Sequence, residues 1–255
     1  PFITAYNVIS SVFRGLGDPK TPMIVVLIAG IINVVLDIIL IGPMEMGAAG
    51  AALATVTAQG ISVIGGAVLL KKRMADIKFS RHHLKPNRET IFSVLSVGIP
   101  TALQDGFIQI AFLAITVIVN HRGVTDAAAV GIVEKVISFL FLVPSAMLSS
   151  ISAIASQNIG AGNHKRASDT LKYGIIICLS FGFTVMALCE IFTEPIIALF
   201  DKNEDVIRLG SEYLRTYAAD CFIAGVHFCF SGYFCAYRLA GLSFAHNVMS
   251  SLLIR

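Results

Sequence analysis

An aspartate and an asparagine lie four residues apart within an apolar stretch that is long enough to cross a membrane. Residues 21–41 read TPMIVVLIAGIINVVLDIILI, and a helix of this length spans roughly 31 Å. The spacing places Asn33 and Asp37 on one helix face. A carboxylate at that depth costs at least about 2.5–3.5 kcal/mol unless it has a partner, a water-filled cavity or a proton. We therefore expect Asp37 to handle an ion or a proton. The alternative is an acid near the helix end that reaches the lipid headgroups.

A second group of polar side chains lies in the apolar run 91–120. Asp105 and Gln109 are four residues apart and share a helix face, with Gln104 adjacent to Asp105. A lone acid in an apolar cavity favours a cationic substrate, so we expect Asp105, Gln104 and Gln109 to line a substrate cavity. An interhelical hydrogen bond is the alternative for each of them.

The elements that position these residues are membrane helices. The chain has 255 residues, of which 56% are hydrophobic and 14% charged, with a mean hydropathy of +0.80. Soluble domains carry about 25% charged residues, so the composition predicts an all-α, polytopic transmembrane helix bundle. Apolar runs fall at residues 1–16, 22–41, 48–70, 91–120, 127–159, 171–200, 213–240 and 244–254. Because the first and last runs are short and the chain starts with Pro1, we expect an internal piece of a longer protein.

The basic residues alternate between the breaks that separate these runs. The odd-numbered breaks hold thirteen Lys and Arg residues and the even-numbered breaks five. The positive-inside rule then places the odd-numbered breaks in the cytoplasm. This topology explains the basic stretch 71–88, so we expect the lipid bilayer, and no nucleic acid, as a partner.

The polar stretch between the third and fourth runs predicts a division of the chain into two lobes. Residues 1–70 would form the C-terminal part of a first lobe with about three helices. Residues 71–90 would be a cytoplasmic linker, and residues 91–255 a second lobe that is truncated in its fifth helix. A weak internal repeat relates FRGLG at 13–17 to YRLAG at 237–241, at an offset of 224 residues.

The remaining residue patterns in the sequence do not predict a metal site or a catalytic site. None of the five cysteines has a CxxC spacing, and His82 and His83 lack a third ligand at useful spacing. The sequence contains no DDxxD, HExxH or GxSxG pattern of an enzyme and no TVGYG filter of a channel. We therefore expect a protein that is not an enzyme and has no cofactor, and we rank a membrane-embedded enzyme or a channel below a transporter.

Small residues and prolines predict how the helices pack and bend. Gly47 with Ala51, and Ala48 with Ala52, have the four-residue spacing that lets helix backbones approach closely. Pro100 and Pro144 lie inside apolar runs, where a proline removes a backbone hydrogen bond and bends a helix.

Five stretches together resemble the multidrug and toxic compound extrusion (MATE) transporters of the bacterial type. They are FRGLGDPKTP at 13–22, INVVLDIILI at 32–41, GAAGAALATVTAQ at 47–59, GIPTALQ at 98–104 and ASQNIGAGNHKRA at 155–167. The resemblance implies a part of a two-lobed, twelve-helix transporter, from about the fourth helix to part of the eleventh. It implies a multi-pass protein of the cell (inner) membrane that works as a monomer.

The resemblance also implies a function and a site. Members export cationic or amphipathic small molecules by alternating access, driven by Na⁺ or H⁺. Asn33 and Asp37 match a coupling pair on the fifth helix and Thr55 matches a threonine on the sixth, so any Na⁺ would bind at these three residues. A seventh-helix glutamate of other branches is absent, with Ile108 closest to its position. The alternative within the superfamily is a flippase for a lipid-linked precursor.

Overall fold

The computed structural model describes residues 1–73 and 87–249, and the regular elements of this part are nine α-helices. Their bounds are α1 Phe2–Gly15, α2 Lys20–Ile41, α3 Gly47–Arg73, α4 Arg88–Arg122, α5 Val124–Leu140, α6 Leu142–Gly160, α7 His164–Ala198, α8 Glu204–Ala236 and α9 Ala240–Met249. The predicted all-α membrane fold is confirmed. The pair His82 and His83 lies outside the described residues.

Six stretches of the described chain are long and apolar enough to cross a bilayer. They are α2, α3, α4, α7, α8 and the continuous stretch Val124–Gly160, which contains α5 and α6. The apolar run 127–159 was expected to form one helix, but it breaks at Phe141. Pro144 is the third residue of α6, where a proline costs little because the first amides of a helix have no partner in the helix. Pro100, by contrast, lies inside the continuous helix α4.

The chain divides into two compact units, the first within Pro1–Pro86 and the second within Asn87–Arg255. The helices extend into both ends of the stretch predicted as a linker. Helix α3 continues through Arg73, and α4 begins at Arg88 after an Asn87 side chain that accepts a hydrogen bond from the amide of Glu89. Such a side chain satisfies an amide at the start of a helix, which fixes where α4 begins.

Helix α3 packs against α1 and α2 through a stripe of small residues. The stripe has a strict four-residue spacing and consists of Gly50, Ala54, Ala58, Ser62 and Gly66. The prediction that small residues face a neighbouring helix was correct in type but wrong in register, because Gly47, Ala48 and Ala52 are exposed. A single turn of small residues fits several registers, and only contact with the neighbouring helices selects one.

The second unit is organised around α8, which packs against α5, α6, α7 and α9. Its core includes Val133 of α5, Ile197 of α7 and Leu214 of α8, all fully buried. Helix α7 bends at Phe192, whose dihedrals are not helical, three residues before Pro195. The sequence analysis did not single out Pro195, although a proline within a long helix is a common cause of such a bend.

Three helices end with the same backbone arrangement at loops that the charge pattern places in the cytoplasm. Gly17, Gly162 and Arg238 have φ values of 81°, 76° and 59°, in the left-handed region. In each case the amide of the next residue donates to the carbonyl five residues before it. Gly17 therefore corresponds to Arg238, an offset of 238 − 17 = 221 residues, and the offset of 224 was wrong by three.

Candidate functional site

Asn33 and Asp37 lie on the face of α2 that packs within the first unit. They continue the line of buried residues Val25 and Ala29 at four-residue spacing. Both residues are half-buried, and Nδ2 of Asn33 and Oδ1 of Asp37 are shielded from solvent without a hydrogen-bond partner among the described residues. A buried polar atom without a partner costs about 1–3 kcal/mol, so this pair is suited to binding something.

Contacts between α2 and α3 show where Thr55 lies relative to this pair. A Cβ added to Gly65 would lie 4.0 Å from Val25, and a Cβ added to Gly50 would lie 3.1 Å from Leu40. These two contacts define one antiparallel register. In that register Thr55 is level with residue 35, between Asn33 and Asp37 along the helix axis.

No hydrogen bond joins Thr55 to the pair in the described structure. Its side chain is exposed, and its hydroxyl donates to the carbonyl of Ala51 over 2.9 Å. Because the hydroxyl proton is used within α3, the oxygen keeps lone pairs that can accept a proton donor or bind a cation. The structure therefore brings Asn33 and Asp37 together and places Thr55 at the same depth on the next helix.

In the second unit, Gln104 takes part in a polar network around Asn247. The side-chain amide of Asn247 donates to Oε1 of Gln104 over 2.8 Å and to Oγ of Ser231 over 3.0 Å. It also lies 2.8 Å from the carbonyl and 3.2 Å from the hydroxyl of Ser243. Asn247 itself is 4% exposed, so α4, α8 and α9 meet here through buried hydrogen bonds.

His227 completes this network on the other side of Asn247. Its Nε2 lies against Oδ1 of Asn247, and because an amide oxygen can only accept, Nε2 is the donor. The ring of His246 stacks on His227 with centroids 4.2 Å apart. Both the amide oxygen and the amide nitrogen of Asn247 are satisfied. A network closed in this way fastens α4 and α9 to α8 and leaves little capacity for a ligand.

Asp105 and Gln109 take no part in the hydrogen bonds that Gln104 makes in the described structure. Both side chains are exposed, and Asp105 is turned about 100° around α4 from Gln104. Helix α4 has no fully buried residue among those described, and Asp105 is exposed. Sequence reasoning missed Asn247 as the centre of this network. A histidine and an asparagine twenty residues apart give no periodic signal, because a loop separates their helices.

The described residues hold no cluster of three or more histidine, cysteine, aspartate or glutamate side chains that could bind a metal ion. Cys178 and Cys229 are buried thiols whose sulfur atoms lie 3.5 Å apart between α7 and α8. They pack with Ile151 as small apolar residues.

These features define a polytopic, all-α membrane protein with an unsatisfied polar pair inside one helix packing face. The MatE family model matches residues 100–255, and the chain belongs to this family. The model of the lipid II flippase MurJ matches residues 1–125.

Known relatives are similar along most of the chain. It is 32% identical over 232 residues to the probable multidrug resistance protein YpnP of Bacillus subtilis, covering 91% of this chain and 52% of the relative. It is 24% identical over 234 residues to the multidrug export protein MepA of Staphylococcus aureus, covering 91% of this chain and 51% of the relative. The chain therefore spans about half the length of these relatives.

Solved structures share the fold. A MATE protein crystallised in the bent conformation superposes with a TM-score of 0.89 at 21% identity, covering 99% of this chain and 56% of that one. An outward-facing multidrug resistance MATE transporter of the MOP superfamily gives a TM-score of 0.88 at 21% identity, covering 97% and 56%.

The family assignment confirms the resemblance found in the sequence. The chain is a multi-pass membrane protein, and its bacterial relatives fit a location in the cell (inner) membrane. The relatives are named as resistance and export proteins, which agrees with the expectation of a protein that is not an enzyme.

Proposed function

We propose that this chain is part of a cation-coupled antiporter that exports cationic or amphipathic small molecules. The observation that carries the proposal is the pair of buried, unpartnered atoms on α2, Nδ2 of Asn33 and Oδ1 of Asp37. Keeping a carboxylate oxygen away from water without a partner costs free energy in a membrane helix. Ionisable residues within membrane helices typically belong to ion or proton pathways. The names of the multidrug resistance and export relatives support the export of small molecules.

Asp37 would act as the coupling residue by changing its charge. A proton on the carboxylate removes the charge that the membrane disfavours, and Na⁺ would neutralise it by direct contact. For Na⁺, the side-chain oxygens of Asp37, Asn33 and Thr55 would serve as ligands. Thr55 suits this role because its proton is already donated to Ala51.

Two units joined by residues 74–86 suit an alternating-access mechanism. The first unit would carry the coupling site, and the two units would act as lobes that rock about a central cavity. Binding of the cation or proton at Asp37 would favour the lobe arrangement that releases substrate outside. Because both lobes come from one chain, we propose that the protein works as a monomer.

The test is dye efflux from vesicles that contain a full-length transporter with these 255 residues. Na⁺ and H⁺ gradients are imposed separately, and wild type is compared with Asp37→Asn. We expect one of the two gradients to drive efflux of a cationic dye, which identifies the coupling ion. The variant should lose gradient-driven efflux by about tenfold or more, because an amide cannot take up a proton or hold a cation as strongly.

Asp169→Asn is the matched control. This substitution makes the same chemical change near the start of α7. Oδ1 of Asp169 lies 3.9 Å from Nζ of Lys172, so the two side chains form only a loose ion pair. Asp169→Asn should retain wild-type efflux. If Asp37→Asn also retains gradient-driven efflux, Asp37 is not the coupling residue.

A flippase for a lipid-linked precursor is the second candidate, favoured by the MurJ family match over residues 1–125. Such a protein has to accommodate an anionic pyrophosphate headgroup. Among the described helices of the first unit, Lys and Arg lie only at or near helix ends, in α1, at the start of α2 and in the last turn of α3. Translocation of a fluorescent lipid pyrophosphate, with no efflux of cationic dye under either gradient, would favour the flippase.

A further inference from the structure

A solvent-facing cleft lies in the second unit where the end of α7 meets the start of α8. It has a volume of about 330 Å³. The bend at Phe192 redirects the last turns of α7, and a Cβ added to Gly210 of α8 would lie only 3.2 Å from Ile197. The two helices therefore pack directly against each other beside the cleft.

Ser211 of α8 lines this cleft and has an unsatisfied hydroxyl. The residue is 5% exposed, and its Oγ has no hydrogen-bond partner among the described residues. Three residues in the described structure carry such orphaned side-chain atoms, and the other two are Asn33 and Asp37. The hydroxyl can rotate among staggered positions at little cost, so it can meet a hydrogen-bond donor placed in the cleft.

Carboxylates predominate around Ser211. The charged residues that line the cleft are Glu194, Glu204, Arg208, Glu212 and Arg215. Within α8, positions 204, 208, 211, 212 and 215 share one helix face.

Both arginines have acidic partners outside this lining. Arg208 lies 3.6 Å from Asp205, and Arg215 lies 3.8 Å from Glu190. Nε of Arg215 also lies 3.4 Å from the hydroxyl of Thr193. In the described structure, no ion pair engages the three glutamates of the lining.

We propose that this cleft binds a small organic cation that carries two or more amine groups. The three free carboxylates accept charge-assisted hydrogen bonds from ammonium groups, and Oγ of Ser211 accepts one more. The volume lies at the lower end of the range for small-molecule sites, which suits a compact linear amine. The loop between α7 and α8 belongs to the breaks that the charge pattern places outside the cytoplasm, so the cation would bind from the outside. The site shares no residue with the coupling site proposed on α2.

Isothermal titration calorimetry with spermidine tests the proposal on the full chain in lipid nanodiscs at low ionic strength. We expect saturable binding at one site. Glu212→Gln should weaken binding by about tenfold through the loss of one carboxylate. Ser211→Ala should weaken it by about threefold without any change of net charge.

Glu89→Gln is the control. It also removes one negative charge, but in the first turn of α4, beside a break that the charge pattern places in the cytoplasm. It should bind spermidine like the wild type, and so should Asp37→Asn, whatever its effect on efflux. The proposal is overturned if wild type does not bind, if Glu89→Gln weakens binding as much as Glu212→Gln, or if Ser211→Ala binds normally. Binding of Mg²⁺ in place of spermidine at equal concentration would also overturn it, in favour of a metal ion.

Discussion

Gly232 of α8 lies directly against the backbone carbonyl of Leu148 in α6. A Cβ added to Gly232 would lie 2.5 Å from that oxygen and 3.2 Å from the Cα of the same residue. Since backbone atoms of a packed helix cannot move aside as a flexible side chain can, this contact fixes the distance between the two helices.

Gly232→Ala should therefore destabilise the second unit by about 1–3 kcal/mol, the usual cost of overpacking. Thermal unfolding in detergent measures the effect. Gly131→Ala in α5 is the control, because a Cβ there meets nothing within 4 Å. The control should be neutral or stabilising, since alanine favours helix more than glycine does. Equal melting temperatures for the two variants would contradict the close contact.

Arg238 adopts a left-handed conformation that glycine adopts without strain. Its φ of 59° follows the end of α8, at the position that Gly17 occupies after α1. A residue with a Cβ pays about 1–2 kcal/mol there. Arg238→Gly should raise the free energy of unfolding by about 1 kcal/mol, measured by denaturant titration. Arg238→Ala should give no such gain, because alanine keeps the Cβ, and a gain in both variants would point to charge as the cause.

Asn247 should contribute to the attachment of α4 and α9 to α8. Asn247→Leu removes the amide that donates to the oxygen of Gln104 and accepts from Nε2 of His227. We expect a loss of about 1–2 kcal/mol, the upper range for such bonds between membrane helices. In a double-mutant cycle, Gln104→Leu should cost less in the Asn247→Leu background than in wild type. Gln109→Leu, at an exposed position of α4, should be near neutral, and additive effects at Gln104 and Asn247 would argue against the network.

Asp18 gives the first unit a defined dependence on pH. Its pKa is lowered chiefly by the hydroxyl of Thr21, which donates to Oδ2 over 2.7 Å, and further by the Thr21 amide and the positive charge of Arg73. A group whose pKa is lower in the folded state contributes stability above its unfolded pKa, and this is lost as pH falls through the folded pKa.

We therefore expect the melting temperature of the wild type to decrease once the pH is lower than about 4, the ordinary pKa range of an aspartate. The decrease should be smaller in Asp18→Asn. The difference between the two melting temperatures is measured from pH 6 downward. Thr21→Val should reduce the decline toward that of Asp18→Asn, because it removes the largest cause of the lowered pKa and so brings the folded pKa closer to the unfolded one. A decline that is identical in all three proteins would assign the pH dependence to other groups.

The pair Asn33 and Asp37 shows how far sequence reasoning reaches in a membrane helix. Their depth in an apolar run and their four-residue spacing predict a shared face, and both features depend only on helix geometry. The structure adds that each side chain keeps an atom without a partner. That atom-level detail depends on how α3 packs against α2, which no spacing within α2 encodes.

The group Gln104, Asp105 and Gln109 shows what spacing within one helix leaves open. Neighbouring positions of α4 point in different directions, and the choice among them depends on where α8 and α9 pack. Gln104 meets Asn247, whereas Asp105 and Gln109 remain exposed. The partner that decides this lies 143 residues along the chain.

The sequence by itself determined the number and approximate limits of the apolar runs, the family, and the presence of an acid, Asp37, within a run of membrane length. These follow from hydropathy, helix periodicity and the cost of a charge in lipid, which act within one helix. Tertiary structure decided the register of the small-residue stripe on α3, the closed network around Asn247 and the cleft at Ser211. These depend on contacts between helices that are distant in the chain, where a shift of one residue turns a side chain by about 100° and gives it different neighbours.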